Sequence, residues 1–387
     1  MPPQPTPPSA AAAPRALARP ARDLRLDVVR GWMQVSIFVS HVVGTVFAWG
    51  IHAAWGLSDS SEQFIFLSGF TLGSVFTLKA ARDGFAQARA DMRRRTWRLY
   101  ATHLTVLCMF AALVFSAGMR LVPGEVEQLH WSFLAERPWF AVPGALATLY
   151  QPDFMGILPV FVWCMLLLPG FLWLTDRIGA WALLPPVALY AAVQLGLVAA
   201  PTPFENGIAF DPLAWQLLYL SGAWFGRRAL LTGGAVPRSK GLIAGAAAVV
   251  LFGLWARLVE HGFIAGPEDL AVAALMHKEA LALPRLLHVL SLAYLVAALV
   301  PKDAAWMRSA PGQALAAIGR HSLQVFCMGL FLAWAATTAL RLRPEAALWL
   351  DPLLIAAGVA ALWALAVMRD RRAARRGRRE VARAAAR

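Results

Sequence analysis

The chain has 387 residues, 59% of them hydrophobic and 15% charged, with a formal charge of +14, whereas an ordinary soluble domain carries roughly 25% charged residues. That balance excludes a soluble globular enzyme and predicts an all-α polytopic membrane bundle, its apolar runs close to the roughly 20 residues that cross a bilayer as a helix. The surplus Lys and Arg border those runs, where they set topology and meet anionic headgroups, so the charge points to membrane lipid and away from nucleic acid as a partner.

Residues 1–22, rich in Pro and Ala, lack an apolar signal-peptide core and read as a disordered cytoplasmic lead. Ten spans follow in a membrane domain of residues 23–368: about 28–50, 63–79, 99–119, 154–175, 180–199, 213–231, 241–259, 281–300, 313–340 and 347–368. Residues 369–387 form a basic tail of nine Arg against Asp370 and Glu380, a net +7. The stretch from Lys79 to Arg98 adds seven basic and two acidic residues, a net +5. With both termini cytoplasmic, 28 of the 36 Lys and Arg fall inside, as the positive-inside rule requires. Most acids, Glu205, Glu268 and Asp269 among them, fall at the outer side. Trp131, Trp139, Phe140 and Tyr150 stud the long outer segment 120–153, as an interfacial belt or as a platform for a sugar.

The first span carries the most chemistry. Arg30 and His41 are eleven residues apart, three helical turns, and so share one face roughly 16 Å apart. Gln34 lies on the same stripe and Asp27 near it, surrounded by Val, Trp and Phe. A polar seam in an apolar helix faces a bundle interior or a wet cavity. Glu62, at the start of the second span, reads either as a solvated outer residue or as the group that orients His41. Arg94, Arg95 and Arg98 at the mouth of the third span are either a topology signal or a clamp for a polyphosphate. Arg320 and Gln324 share a face of the ninth span, with His321 between them as a member of a polar network. His103 and His288 read as helix–helix hydrogen bonders. Cys108, Cys164 and Cys327 sit in apolar runs as small hydrophobes, and no spacing suggests a metal site.

Arg30 with ten residues before His41, Phe-Leu-Ser-Gly-Phe at 66–70 and Arg-Arg-Thr-Trp-Arg-Leu-Tyr at 94–100 resemble the membrane acyltransferase-3 superfamily. Leu24 to Gly31, Ile157-Leu158-Pro159, Phe210 to Leu218 and Gly319 to Cys327 are similar to recurrent segments of its OpgC branch. The resemblance implies an inner-membrane enzyme of about ten spans moving an acyl group from cytoplasmic acyl-CoA, succinyl-CoA in that branch, to an osmoregulated periplasmic glucan. It makes Arg30 and His41 essential and sets Arg94, Arg95 and Arg98 against the CoA phosphates; beside these, Asp27, Gln34, Trp215, Gln216, Arg320, His321 and Gln324 are the candidate substrate contacts. Glucan biosynthesis or export proteins are further possible partners. Gly156 stands where the branch often carries Asp before Ile-Leu-Pro, and the nearest acid is Asp153. The alternative is a transporter or flippase for a glycan or organic anion, since buried Arg and His also line such pathways.

Overall fold

A computed structural model of the chain describes residues 17, 21–202, 204, 207–267 and 271–385, and among these every regular element is helical. Most of the expected lead, together with Glu205, Glu268 and Asp269, lies outside the described residues. The long helices are α1 (Leu24–Ser40), α2 (Ser60–Asp83), α3 (Phe85–Leu113), α4 (Ile157–Ile178), α5 (Leu184–Gln194), α6 (Pro212–Thr232), α7 (Lys240–Glu260), α8 (Leu283–Leu299), α9 (Ala310–Arg320), α10 (Ser322–Leu342) and α11 (Ala347–Ala385).

Six helical stretches among the described residues are long and apolar enough to cross a membrane: Ser60–Asp83, Phe85–Leu121, Ile157–Gln194, Lys240–Glu260, Ser322–Leu342 and Pro344–Arg378. They fit a multi-pass membrane protein. The other expected spans differ for definable reasons. α8 is apolar but has 17 residues. α6 carries Arg227 and Arg228 one turn before its end at Thr232. The expected span 180–199 is a 3-10 turn, Gly179–Leu183, followed by the eleven-residue α5, because Gly179 takes a positive φ of 60° and Pro185 and Pro186 occupy the next helix start.

Two expected helices are interrupted. The seam helix, expected to run to residue 50, stops at Ser40. The Ser40 hydroxyl donates to the Ile37 carbonyl at 3.0 Å, and Gly44, at φ +89°, turns the chain away. The outgoing loop is pinned where Thr337 Oγ1 accepts from the Val43 amide at 2.9 Å and Asp351 Oδ2 accepts from the Val46 amide at 2.9 Å. The expected span 313–340 breaks at His321, whose backbone (φ −114°, ψ 31°) leaves the helix between α9 and α10.

Glycines fix the closest packing. A Cβ on Gly69 or Gly73 of α2 would collide with the Tyr219 or Ala223 carbonyl of α6, and one on Gly222 or Gly226 of α6 with the Phe66 or Phe70 carbonyl of α2. The two backbones therefore meet through a small-residue stripe on each side. α1 and α9 do the same, with Gly31 against Leu315 and Gly319 against Asp27. Gly69→Val should therefore cost about 1–3 kcal/mol by overpacking, read as a lower thermal midpoint in detergent; an unchanged midpoint would show that the two helices separate freely.

Candidate functional site

α1 begins with Asp23 as its cap, accepting from the Arg25 amide at 3.1 Å. Asp27, one turn in, is buried and accepts from Arg22 at 3.0 Å, so it is neutralised by Arg22 instead of by the seam. Arg30 donates to the Leu67 carbonyl at 2.9 Å and to the Thr71 hydroxyl, both on α2. Gln34, one turn beyond Arg30, is 2% exposed, and its Nε2 finds no hydrogen-bond partner among the described residues.

His41 follows the last turn. Its Nδ1 lies 2.7 Å from the Ile37 carbonyl. A carbonyl oxygen only accepts, so Nδ1 carries a proton, and in the neutral ring Nε2 keeps its lone pair. The Ile37 carbonyl also takes the His41 amide at 3.2 Å, and Thr337 Oγ1 donates to the His41 carbonyl at 3.4 Å, which fixes the ring by its own backbone. Phe154 packs against the imidazole with ring centroids 5.4 Å apart and against Phe110 of α3 at 5.1 Å. Phe154 has φ +71°, a conformation that costs a bulky residue roughly 1–3 kcal/mol and that clusters at functional sites. Lys278, Asp59 and Asp153 are close enough to act on His41 electrostatically. The result is an oriented imidazole at the end of a buried polar stripe.

Glu62 is placed elsewhere. It is 0% exposed, closes a capping box on the Asp59 amide at 2.9 Å, and accepts from Arg285 Nε at 2.6 Å. Asp59 accepts from Lys278 at 2.8 Å and from Arg285 at 3.2 Å. Two acids and two bases thus tie the start of α2 to α8, and no Glu62 to His41 hydrogen bond exists among the described residues. Burial works against ionisation of Asp59, but Lys278 and Arg285 overcome it and hold the carboxyl well below its ordinary range. A depressed carboxyl stabilises the fold at neutral pH and loses that contribution only as pH falls through its lowered value.

The remaining expected residues separate into three places. Trp215 Nε1 donates to the Lys278 and Glu279 carbonyls at 3.1 and 3.0 Å, and Gln216 donates to the Pro186 carbonyl at 2.9 Å, so both are fully engaged in holding α6 to its neighbours. Arg320 and His321 converge on Asp370 of α11 at 2.6 and 2.8 Å, with Gln324 partly buried one turn on. Arg94, Arg95 and Arg98 are exposed on α3. Arg94 and Arg98, with Arg93 and Trp97, line a surface cavity of about 390 Å³, while Arg94 also pairs with Asp91.

Of the aromatic residues expected in the outer segment, Trp131 and Tyr150 are buried, Trp131 stacking on Phe110 at 6.0 Å, and Trp139 and Phe140 are exposed. Sequence reading passed over Arg285, Thr71 and Phe154. Arg285 carried a usable signal, an Arg inside an apolar run, the same one that marked Arg320. Neither the curated proteins nor the solved structures give a match to this chain. The family model described as OpgC protein matches residues 22–374, nearly all of it, and the chain therefore belongs to the OpgC family.

Proposed function

We propose that this protein is an integral-membrane O-acyltransferase that moves an acyl group, succinyl by the family resemblance, from cytoplasmic acyl-CoA to a hydroxyl of a periplasmic glucan. The observation that carries the reading is the tautomer of His41: with Nδ1 committed to the Ile37 carbonyl at 2.7 Å, Nε2 is the free base. The acceptor hydroxyl gives its proton to Nε2 as its oxygen bonds to the thioester carbon. Collapse of the tetrahedral intermediate breaks the carbon–sulfur bond, and the imidazolium returns the proton to the departing thiolate. The family supports an acyltransferase over a transporter.

Arg30 sits three turns back along the same helix, on the side of the arginine-rich mouth, where a guanidinium held by Leu67 and Thr71 keeps further donors for the donor substrate. Arg93, Arg94 and Arg98 around their surface cavity suit the CoA phosphates. Replacing Arg94 and Arg98 together by Ala should weaken binding of acyl-CoA, more so at low salt than at high, since exposed charges are screened; a salt-independent loss would place the effect elsewhere.

The direct test is mass spectrometry of periplasmic glucans from a deletion strain with and without the restored gene. An acyl increment that disappears and returns identifies both the transfer and the acyl group. Identical glucan masses in both strains would move the acceptor to another molecule.

A further inference from the structure

His103 is 0% exposed in the middle of α3, and neither ring nitrogen finds a hydrogen-bond partner among the described residues. A buried polar group without a partner is costly, above all where no bulk water reaches it. Gln34 on α1 is in the same position, with its Nε2 unpartnered.

The two are related by geometry. α1 and α2 are antiparallel, since Arg30 reaches Leu67 and Thr71 while Asp59, at the start of α2, acts on His41. α2 and α3 are antiparallel too, by the Phe76–Phe85 ring contact and the Lys79–Asp91 pair across Gly84. α1 and α3 therefore run parallel. His41 on the first and Phe110 on the second both touch the Phe154 ring, at 5.4 and 5.1 Å. Gln34 lies seven residues before His41, and His103 seven before Phe110. Seven residues return within about 20° of the same face and descend about 10.5 Å. Gln34 and His103 are thus each turned to about the side of their helix that carries His41 or Phe110, two turns back towards the arginine-rich mouth.

We propose that Gln34 and His103 are positioning residues that bracket the donor's pantetheine arm by its amide nearest the sulfur. This deepens the acyl-CoA reading above and rests on it. The thioester carbon stands one reacting distance, about 3 Å, beyond the hydroxyl that His41 deprotonates. Sulfur and two methylenes carry the chain another 5–6 Å or so before the amide nitrogen, with bond lengths like those of a peptide. The amide then arrives at the depth of this pair. Its chemistry matches theirs: Gln34 Nε2 donates to the amide carbonyl, and the unprotonated nitrogen of His103 accepts the amide N–H. The grip sets the thioester at a fixed height beneath His41 and forms no covalent bond.

The experiment uses the full chain in detergent or nanodiscs and two non-reactive probes, an acyl-CoA thioether and its counterpart in which an ester oxygen replaces the amide nitrogen nearest the sulfur. Wild-type protein should bind the amide probe at least tenfold more tightly. Gln34→Leu and His103→Leu should each weaken the amide probe about tenfold, bring the two probes together, and leave the thermal midpoint unchanged or raised, since they remove an unpartnered polar group. His103→Gln should recover part of the preference. Equal loss for both probes, unaltered affinity, or a lowered midpoint with affinity retained would overturn the proposal and leave the two residues structural. Absence of binding of either probe to wild-type protein would overturn the acyl-CoA reading itself.

Discussion

His41→Ala is expected to lower acyl transfer by about a hundredfold to ten-thousandfold, the range of a lost general base, while the protein stays folded. Among the described residues, nothing outside α1 depends on the imidazole for a hydrogen bond: Nδ1 bonds the Ile37 carbonyl of that helix, and the contact to Thr337 is made by the His41 backbone. The side chain gives up a ring contact with Phe154 and little more. His41→Gln, which retains a hydrogen-bonding side chain without a base of imidazole strength, should be nearly as inactive. The acyl content of the glucan, measured at matched membrane levels, checks both. Transfer that survives either substitution would remove His41 from the chemistry and with it the proposed mechanism.

Breaking the Glu62–Arg285 pair should give the largest loss of stability. Glu62 is 0% exposed and Arg285 3%, so removing either partner leaves a charge stranded in the bundle, a cost of about 3–5 kcal/mol. Arg285→Met is the more severe, because Arg285 also bonds Asp59 and donates to the Met276 carbonyl at 3.0 Å. In the double variant Glu62→Leu, Arg285→Met no charge of the pair is stranded, and part of the stability should return, with Asp59 still held by Lys278. Thermal midpoints of the two single variants and the double variant in detergent read this directly. The same cycle decides what Glu62 does. A folded Glu62→Gln protein that transfers normally confines it to structure, whereas a folded protein that does not transfer makes it part of the reaction.

What the sequence disclosed was the composition of the bundle and the face of α1; what it withheld was where helices stop and which polar groups meet. Arg30, Gln34 and His41 fall on one stripe by periodicity alone, and the structure places Arg30 and Gln34 on α1 with His41 as the residue that caps it. The end of α1 at Ser40 depends on a glycine turn and on anchors from Thr337 and Asp351, some 300 residues away, so no local signal marks it. The break at His321 is of the same kind, since the Arg320 and His321 side chains at it both meet Asp370 of α11, some 50 positions on. Glu62 shows the limit of pairing by proximity along the chain: His41 was the near candidate by order of elements, but the acid went to Arg285, 223 positions on. Trp215 and Gln216 stand out in the sequence and are engaged in holding α6 to the 278–279 loop and to α5, whereas His103, read as an ordinary helix–helix hydrogen bonder, has no such bond among the described residues.

The interlocked glycines of α2 and α6 also bear on how the proposed donor and acceptor would meet. Backbones seated against each other at four points, Gly69, Gly73, Gly222 and Gly226, form a plate that resists shear, because any sliding would drive a Cα into a carbonyl. Arg30 is moored to that plate through Leu67 and Thr71, and Gly31 is locked against α9. A transporter carries its cargo by rocking one half against the other. Here the stage is fixed, so under the proposed reaction a long flexible donor would thread up to a stationary base while the acceptor came down to it, and the membrane would be crossed by the acyl group and not by the machinery.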